Sequence, residues 1–142
     1  MINRRLKVLP LAGYFLFLSS GCRLAKSNQY EGVQVVTINE LVADPTRYVG
    51  KRVGVSGYFH LAYEESVLYR SREHQVSVDC ENAVWIYAAK NKELNAKLVT
   101  NTDQYVTIYG VLLAHPDGEG HLRVSKFGLD RVSRVETLVP VN

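Results

Sequence analysis

An all-β fold, a closed barrel of five strands in Greek-key order with one or two short helices, is predicted by three observations. The stretch from Lys51 to Leu61 alternates: Val53, Val55, Phe59 and Leu61 share one period-2 face, and Arg52, Ser56, Tyr58 and His60 share the other. Four more runs rich in β-branched and aromatic residues follow at Ser66–Ser71, Ala83–Ala88, Gln104–Leu113 and His121–Phe127, each bounded by turn residues. Between the third and fourth runs, Leu94, Leu98 and Val99 stand at helical spacing among polar residues of Lys90–Val99. At 142 residues the chain suffices for one core and not for two ordinary ones.

Taken in order, residues 1–21 have the three parts of an export signal. Arg4, Arg5 and Lys7 form a basic start, Val8 to Leu18 an apolar run, and Ser19-Ser20-Gly21-Cys22 a small-residue end. The run is shorter than the ~20 apolar residues of a membrane-spanning helix. Leu18-Ser19-Ser20-Gly21-Cys22 resembles the lipobox of bacterial lipoproteins, with Ser19 where leucine is more usual and Leu18 one place further back. That resemblance implies cleavage before Cys22, acylation of its sulfur, and anchoring to a membrane through N-terminal lipid. Arg23 follows the cysteine, which resembles cargo passed to the outer membrane, facing the periplasm. The stretch 22–32 is polar and reads as a lipidated N-terminus with a short tether. The remaining span, 33–142, is the barrel domain.

Within that span, Val33 to Val36 is a brief extended run. Thr37-Ile38-Asn39-Glu40 fits a capping box, which starts a short helix through Ala43 with Ile38, Leu41 and Val42 as its apolar stripe. Pro45 stops the helix, Tyr48 is expected to pack under the Asp44–Arg47 turn, and Gly50 turns the chain into strand one. Gly54 and Gly57, inside that strand, suggest bulges or sharp bends. After strand two, Arg72 to Gln75 is a polar stretch leading through Val76–Cys80 to a turn at Glu81-Asn82. Ala83–Ala88, the densest apolar run of the domain, is the central strand. Asn101-Thr102-Asp103 ends the second helix, and Pro116–Gly120 is a turn by composition. Strand five continues past Gly128, with apolar positions at Leu129, Val132 and Val135.

Three strands, a helix and two strands is the layout of an OB-fold. The combination of Ile38-Asn39-Glu40-Leu41, Pro45, Tyr48, Gly50-Lys51, Val55-Ser56-Gly57-Tyr58, Leu68-Tyr69, Trp85-Ile86, Val106-Thr107-Ile108-Tyr109-Gly110 and Gly120-His121-Leu122 resembles a group of small exported bacterial OB-fold-like proteins of unassigned activity. The likeness spans Val35 to Arg134. It implies a fold and an envelope setting and supplies no catalytic residue.

Strand parity collects Tyr58, Tyr69, Trp85, Tyr87, Tyr105 and Tyr109 on the outer face, the candidate binding face, with Tyr58, Tyr69 and Trp85 expected to be the most exposed. Such a face stacks bases or sugars in OB-folds, and packing under other elements accounts for the same rings. His115 and His121 flank a turn carrying Asp117 and Glu119, so they are weak candidates for a metal, although the spacing matches no zinc signature. His60 and His74 have no evident partner in the sequence beyond a possible pairing of His74 with Cys80. With Cys22 acylated, Cys80 has no intramolecular partner and is expected to be buried. Glu64 and Glu65 are adjacent and would point to opposite faces. Nucleophile, phosphate-loop, metalloprotease and dinucleotide motifs are missing from the sequence, so no cofactor is expected.

The formal charge of +3 belongs to the leader. Three of the seventeen bases, Arg4, Arg5 and Lys7, lie in the leader and no acid occurs before Glu31, so without the leader fourteen bases face fourteen acids. Binding of nucleic acid is therefore disfavoured. The reading that follows is a lipid-anchored envelope module recognising an envelope protein or peptide, with no chemistry of its own. The alternatives are an oligosaccharide or single-stranded nucleic acid on the aromatic face, or an enzyme using Cys80 or the His115/His121 pair.

Overall fold

Strand β1 (Val35–Thr37) runs directly into the N-cap of helix α1 (Ile38–Ala43), so the chain turns from a sheet edge onto the barrel within one residue. The computed structural model describes residues 32–119 and 125–139, with the side chains of 116–119 excepted. The leader, Cys22, the tether up to residue 31 and His121 lie outside the described residues.

The capping box is present in full. The Thr37 amide and hydroxyl donate to Glu40 Oε2 at 2.7 and 2.9 Å, and the Glu40 amide donates to Thr37 Oγ1 at 3.3 Å. Backbone donation from Thr37, then donation from its hydroxyl, holds the Glu40 carboxyl below its ordinary 4.5. A depressed folded-state value means that the stabilisation is complete above the unfolded carboxylate range and is lost as pH falls through the folded value. Glu40→Gln is therefore expected to be less stable than wild type at neutral pH, with the gap closing in acid as the carboxyl is protonated. Urea denaturation at several pH values measures this; a gap independent of pH would contradict it.

Ile38 and Leu41 are buried and Val42 packs beside them, as the apolar stripe predicts, and Tyr48 is buried after the short 3-10 turn Pro45–Arg47. Gly50, at φ 80°, turns the chain, and its amide donates to the Leu112 carbonyl at 2.8 Å. The barrel then runs through β2 (Arg52–Ala62), β3 (Glu65–Tyr69), helix α2 (Arg72–Val76), β4 (Val84–Ile86), helix α3 (Lys92–Thr100), β5 (Gln104–Glu119) and β6 (Ser125–Thr137). The sheet order is β1-β2-β3-β4-β6-β5, and β5 returns to pair with β2. Strands β2 to β6 thus close a five-stranded Greek-key barrel of the OB type, in the order that the sequence predicts, with α3 between the third and fourth barrel strands.

Val53, Val55 and Phe59 face the core from β2 together with Leu68, Val84, Ile86, Val106, Ile108, Leu112 and Leu129. Helix α3 closes one side with Leu98 buried and Leu94 packed on the cluster, but Val99, expected on the same stripe, is exposed. The Asn95 side chain bonds both backbone groups of Ala89, at 2.8 and 2.6 Å, and so fixes the connection from β4 to α3.

Two expectations are corrected, and of the bulges or bends expected at Gly54 and Gly57 the bulge is excluded. No bulge lies at Gly54 or Gly57, because β2 pairs with β5 in unbroken register from Arg52 to Phe59. Gly57 instead marks where one edge of β2 passes from β1, last paired at Ser56, to β3, first paired at Tyr58. The bulge lies in β6: Tyr109 pairs with Arg134 and Val111 with Asp130, leaving three residues of β6 opposite Gly110. Arg131 at φ 50° resets the phase there, which is why Leu129, Val132 and Val135, three residues apart, all face the core. The turn read at Pro116–Gly120 is corrected as well, since β5 continues to Glu119, which pairs with Ser125 after an irregularity. Finally, the polar stretch after β3 is helical, forming α2, and Val78 beyond it has φ 53°. At five residues α2 is too short for an apolar period to show in sequence.

Candidate binding face

Alternation puts the six candidate aromatics outside the main core, and register makes three of them neighbours. Tyr58 pairs with Tyr69 on one edge of β2 and with Tyr105 on the other, so the three rings cross the sheet in a row. The Tyr58 and Tyr105 rings meet edge to face at 5.3 Å. This layer is largely closed. The segment from α2 to Ala83 folds back over it, and Tyr58, Val67, Tyr69, Cys80 and Ala83 form a second apolar cluster against which Trp85 packs.

Exposure follows from that cover. Tyr69 is 0 % and Tyr58 7 % exposed, Tyr109 is also buried, Trp85 and Tyr87 are half-buried, and Tyr105 remains 44 % exposed. The expectation that Tyr58, Tyr69 and Trp85 are the exposed set is therefore corrected. Parity reports which side of a sheet a residue faces; it carries no information on what another segment lays over that side.

The polar ends of the layer are tied down. Tyr69 Oη donates to Glu65 Oε1 at 2.7 Å and lies 3.7 Å from Cys80 Sγ. Burial above all, then the bond to Glu65, pushes the Tyr69 phenol far above its ordinary 10, so it acts as a protonated donor. Burial, then the Asp103 carboxylate, likewise raises Tyr58, whose hydroxyl is 3.5 Å from Asp103 Oδ1. Tyr109 is raised by burial and by donating to Glu136 Oε2 at 2.7 Å.

His60 has partners that the sequence does not show. Its Nδ1 is 2.6 Å from Asp103 Oδ1 and its Nε2 is 3.9 Å from Glu65 Oε2. Asp103 stands at φ 60°, with its amide donating to the Phe59 carbonyl at 2.8 Å, and this corner swings its carboxylate onto β2. A separation of 43 residues hides the pair from any local motif. The two carboxylates meet opposite ring nitrogens, so His60 cannot bring both to one metal ion. Among the described residues no group of three His, Cys, Asp or Glu side chains is arranged to hold a metal.

The remaining candidates are placed as follows. Cys80 is buried, as expected, while His74 Nδ1 lies 2.8 Å from Ser71 Oγ. His115 Nε2 is 3.1 Å from the Tyr87 hydroxyl, and the two rings cover Gly128, where a Cβ would come within 2.7 Å of His115 and 2.8 Å of Tyr87. Among the bases, Arg52 donates to Ser133 Oγ, Arg134 pairs with Glu136 over the Tyr109 ring, and Arg131 lies 3.6 Å from Asp130. Those guanidiniums are engaged with neighbours and do not form an open phosphate track. Among the described residues, no helix is long and apolar enough to cross a membrane. Comparison with protein-family models and with curated proteins finds no match to this chain.

Proposed function

We propose that the protein is an exported module of the bacterial cell envelope, held by acyl chains on Cys22 at the periplasmic side of the outer membrane, that recognises a protein or peptide and performs no chemistry itself. The anchor is supported by the basic start, apolar run and Ser19-Ser20-Gly21-Cys22 end of the leader. Protein recognition is supported most by the closure of the outer aromatic layer. The face on which OB-type barrels stack bases or sugars is filled by this chain's own α2–Ala83 segment. Val76, Val78 and Tyr105 remain exposed on the outer side, apolar surface of the kind that a protein contact covers. The neutral charge of the chain without its leader and the local pairing of Arg52, Arg131 and Arg134 argue in the same direction against a polyanion.

Cys22→Ser is expected to move the protein from the membrane to the soluble fraction, because a stable anchor of this kind depends on the acyl chains. Fractionation of cells expressing both forms measures it, and continued membrane association would overturn the anchor. In-cell photo-crosslinking with probes on several outer-face positions is expected to yield protein adducts. Saturable, salt-sensitive binding of oligonucleotides with no protein adduct would overturn the ranking.

A further inference from the structure

The segment from Arg70 to Asn82, which covers the tyrosine row, is fixed at its two ends and lightly held between them. It leaves β3 after Tyr69 and re-enters the wall at β4, and Leu68 and Val84 are paired in the ladder between those strands. It is a strap with both feet on neighbouring strands, the form of an Ω-loop, and it can lift without breaking a ladder bond.

Its hold on the barrel is small. Helix α2 has no buried residue, and from Arg70 to Asn82 Cys80 alone is buried. Among the described residues two polar contacts tie the strap to the barrel, neither of them short: the Arg72 amide donates to Tyr105 Oη at 3.4 Å, and Cys80 Sγ lies 3.7 Å from Tyr69 Oη. Its other hydrogen bonds are internal, such as those from the Asp79 amide to the His74 carbonyl at 2.9 Å and from the Ser77 amide to the Glu73 carbonyl at 3.0 Å. Few buried contacts and self-contained hydrogen bonds are the marks of a segment that opens locally. Val78 adds strain, standing at φ 53° with its side chain 58 % exposed, a conformation unfavourable to a β-branched residue.

The layer beneath is held by the barrel itself. Tyr69 Oη donates to Glu65 Oε1 at 2.7 Å, Tyr58 Oη lies 3.5 Å from Asp103 Oδ1, and the Tyr58 ring meets Tyr105 edge to face. None of these contacts involves the strap, so the row is preformed under it.

We infer that the strap is a lid, which opens as a unit with the barrel intact and uncovers Tyr58, Tyr69 and the Cys80 thiol. The tyrosine row is then a conditional surface, closed in the resting state by this chain itself. Opening breaks a few contacts, whereas global unfolding parts the closed wall and its core, so the two differ in free energy and in the surface they expose. The inference concerns the cover alone and stands apart from the protein-binding reading.

Cys80 reports the opening, since it is the one thiol of the Cys22→Ser chain. The test is labelling of that chain by a thiol reagent across a urea series, each rate divided by that of the unfolded chain, with tryptophan emission recording global unfolding. Labelling is expected well below the unfolding transition, nearly independent of urea there. Leu98→Ala, which weakens the core on the α3 side, should lower the unfolding midpoint and leave the native-state rate within about twofold. Tyr105→Phe, which removes the acceptor of the Arg72 amide, should speed labelling about threefold. Val78→Asn, which suits the left-handed backbone, should slow it about fivefold. Labelling that follows the unfolding transition in urea overturns the lid, as does a thiol that stays silent until the barrel unfolds; this holds even where Leu98→Ala does not fold. Acceleration by a folded Leu98→Ala chain overturns it too, and so do rates unchanged by both Tyr105→Phe and Val78→Asn.

Discussion

Gly57→Ala is expected to destabilise the barrel by about 3 kcal/mol. A Cβ at Gly57 would lie 2.4 Å from the Tyr69 carbonyl oxygen, 3.0 Å from Leu68 Cγ and 3.1 Å from Ile38 Cδ1. The first obstacle is backbone, held in the β2–β3 ladder beside the Tyr58–Tyr69 pair, so relief requires parting the two strands. The other two are fully buried core side chains with no room to retreat. Gly54→Ala is the control. Its Cβ would meet the Tyr109 ring at 2.7 Å and Thr107 Cγ2 at 3.1 Å, which are side chains and not backbone but are both buried, with Tyr109 held by Glu136, so a smaller loss of about 2 kcal/mol is expected. Urea denaturation of both variants decides the matter; if Gly57→Ala costs no more than Gly54→Ala, close backbone approach is not the reason for the glycine.

Tyr69→Ala should cost about 4 kcal/mol, at the level of large core truncations, even though Tyr69 belongs to the outer face. Its ring is fully buried and is the largest such side chain in the described residues. Removing it leaves a void under Cys80 and beside Trp85. Tyr69→Phe, which keeps the ring and loses the hydrogen bond to half-exposed Glu65 and the weaker one with Cys80, should cost about 1 kcal/mol. Trp85 is the chain's single tryptophan, so its emission should shift to the red in Tyr69→Ala and stay put in Tyr69→Phe. In a Cys22→Ser background, Cys80 should also react faster with a thiol reagent in the alanine variant. Equal costs for the two substitutions would show that the second cluster is not a packed layer.

The two variants probe one place from its two sides, since Gly57 admits the Tyr69 backbone at the barrel wall and the Tyr69 ring builds the layer outside it. They also separate what local chemistry dictates from what assembly adds. The Thr37–Glu40 capping box, the inward set Val53, Val55 and Phe59, the stop at Pro45 and the strand–helix order were legible in the sequence. Each depends on neighbours within a few residues, where periodicity and capping act. The same holds for the burial of Cys80, which follows from the thiol's own apolar character.

The candidate face was only half legible. Parity placed Tyr58, Tyr69, Trp85, Tyr87, Tyr105 and Tyr109 outside the main core, and nothing local could say that α2 and the Cys80 segment cover the first two. The His60–Asp103 pair and the bulge at Arg131 are likewise set by register between strands far apart in the chain. By itself the sequence determined the barrel, its strand order and, outside the bulged β6, the side of the wall on which the strand residues stand, because those follow from alternation along single strands. Only the tertiary structure decided which outward residues are open to a partner. Exposure depends on which distant segment packs over a side chain, and that choice is made by the collapsed chain as a whole.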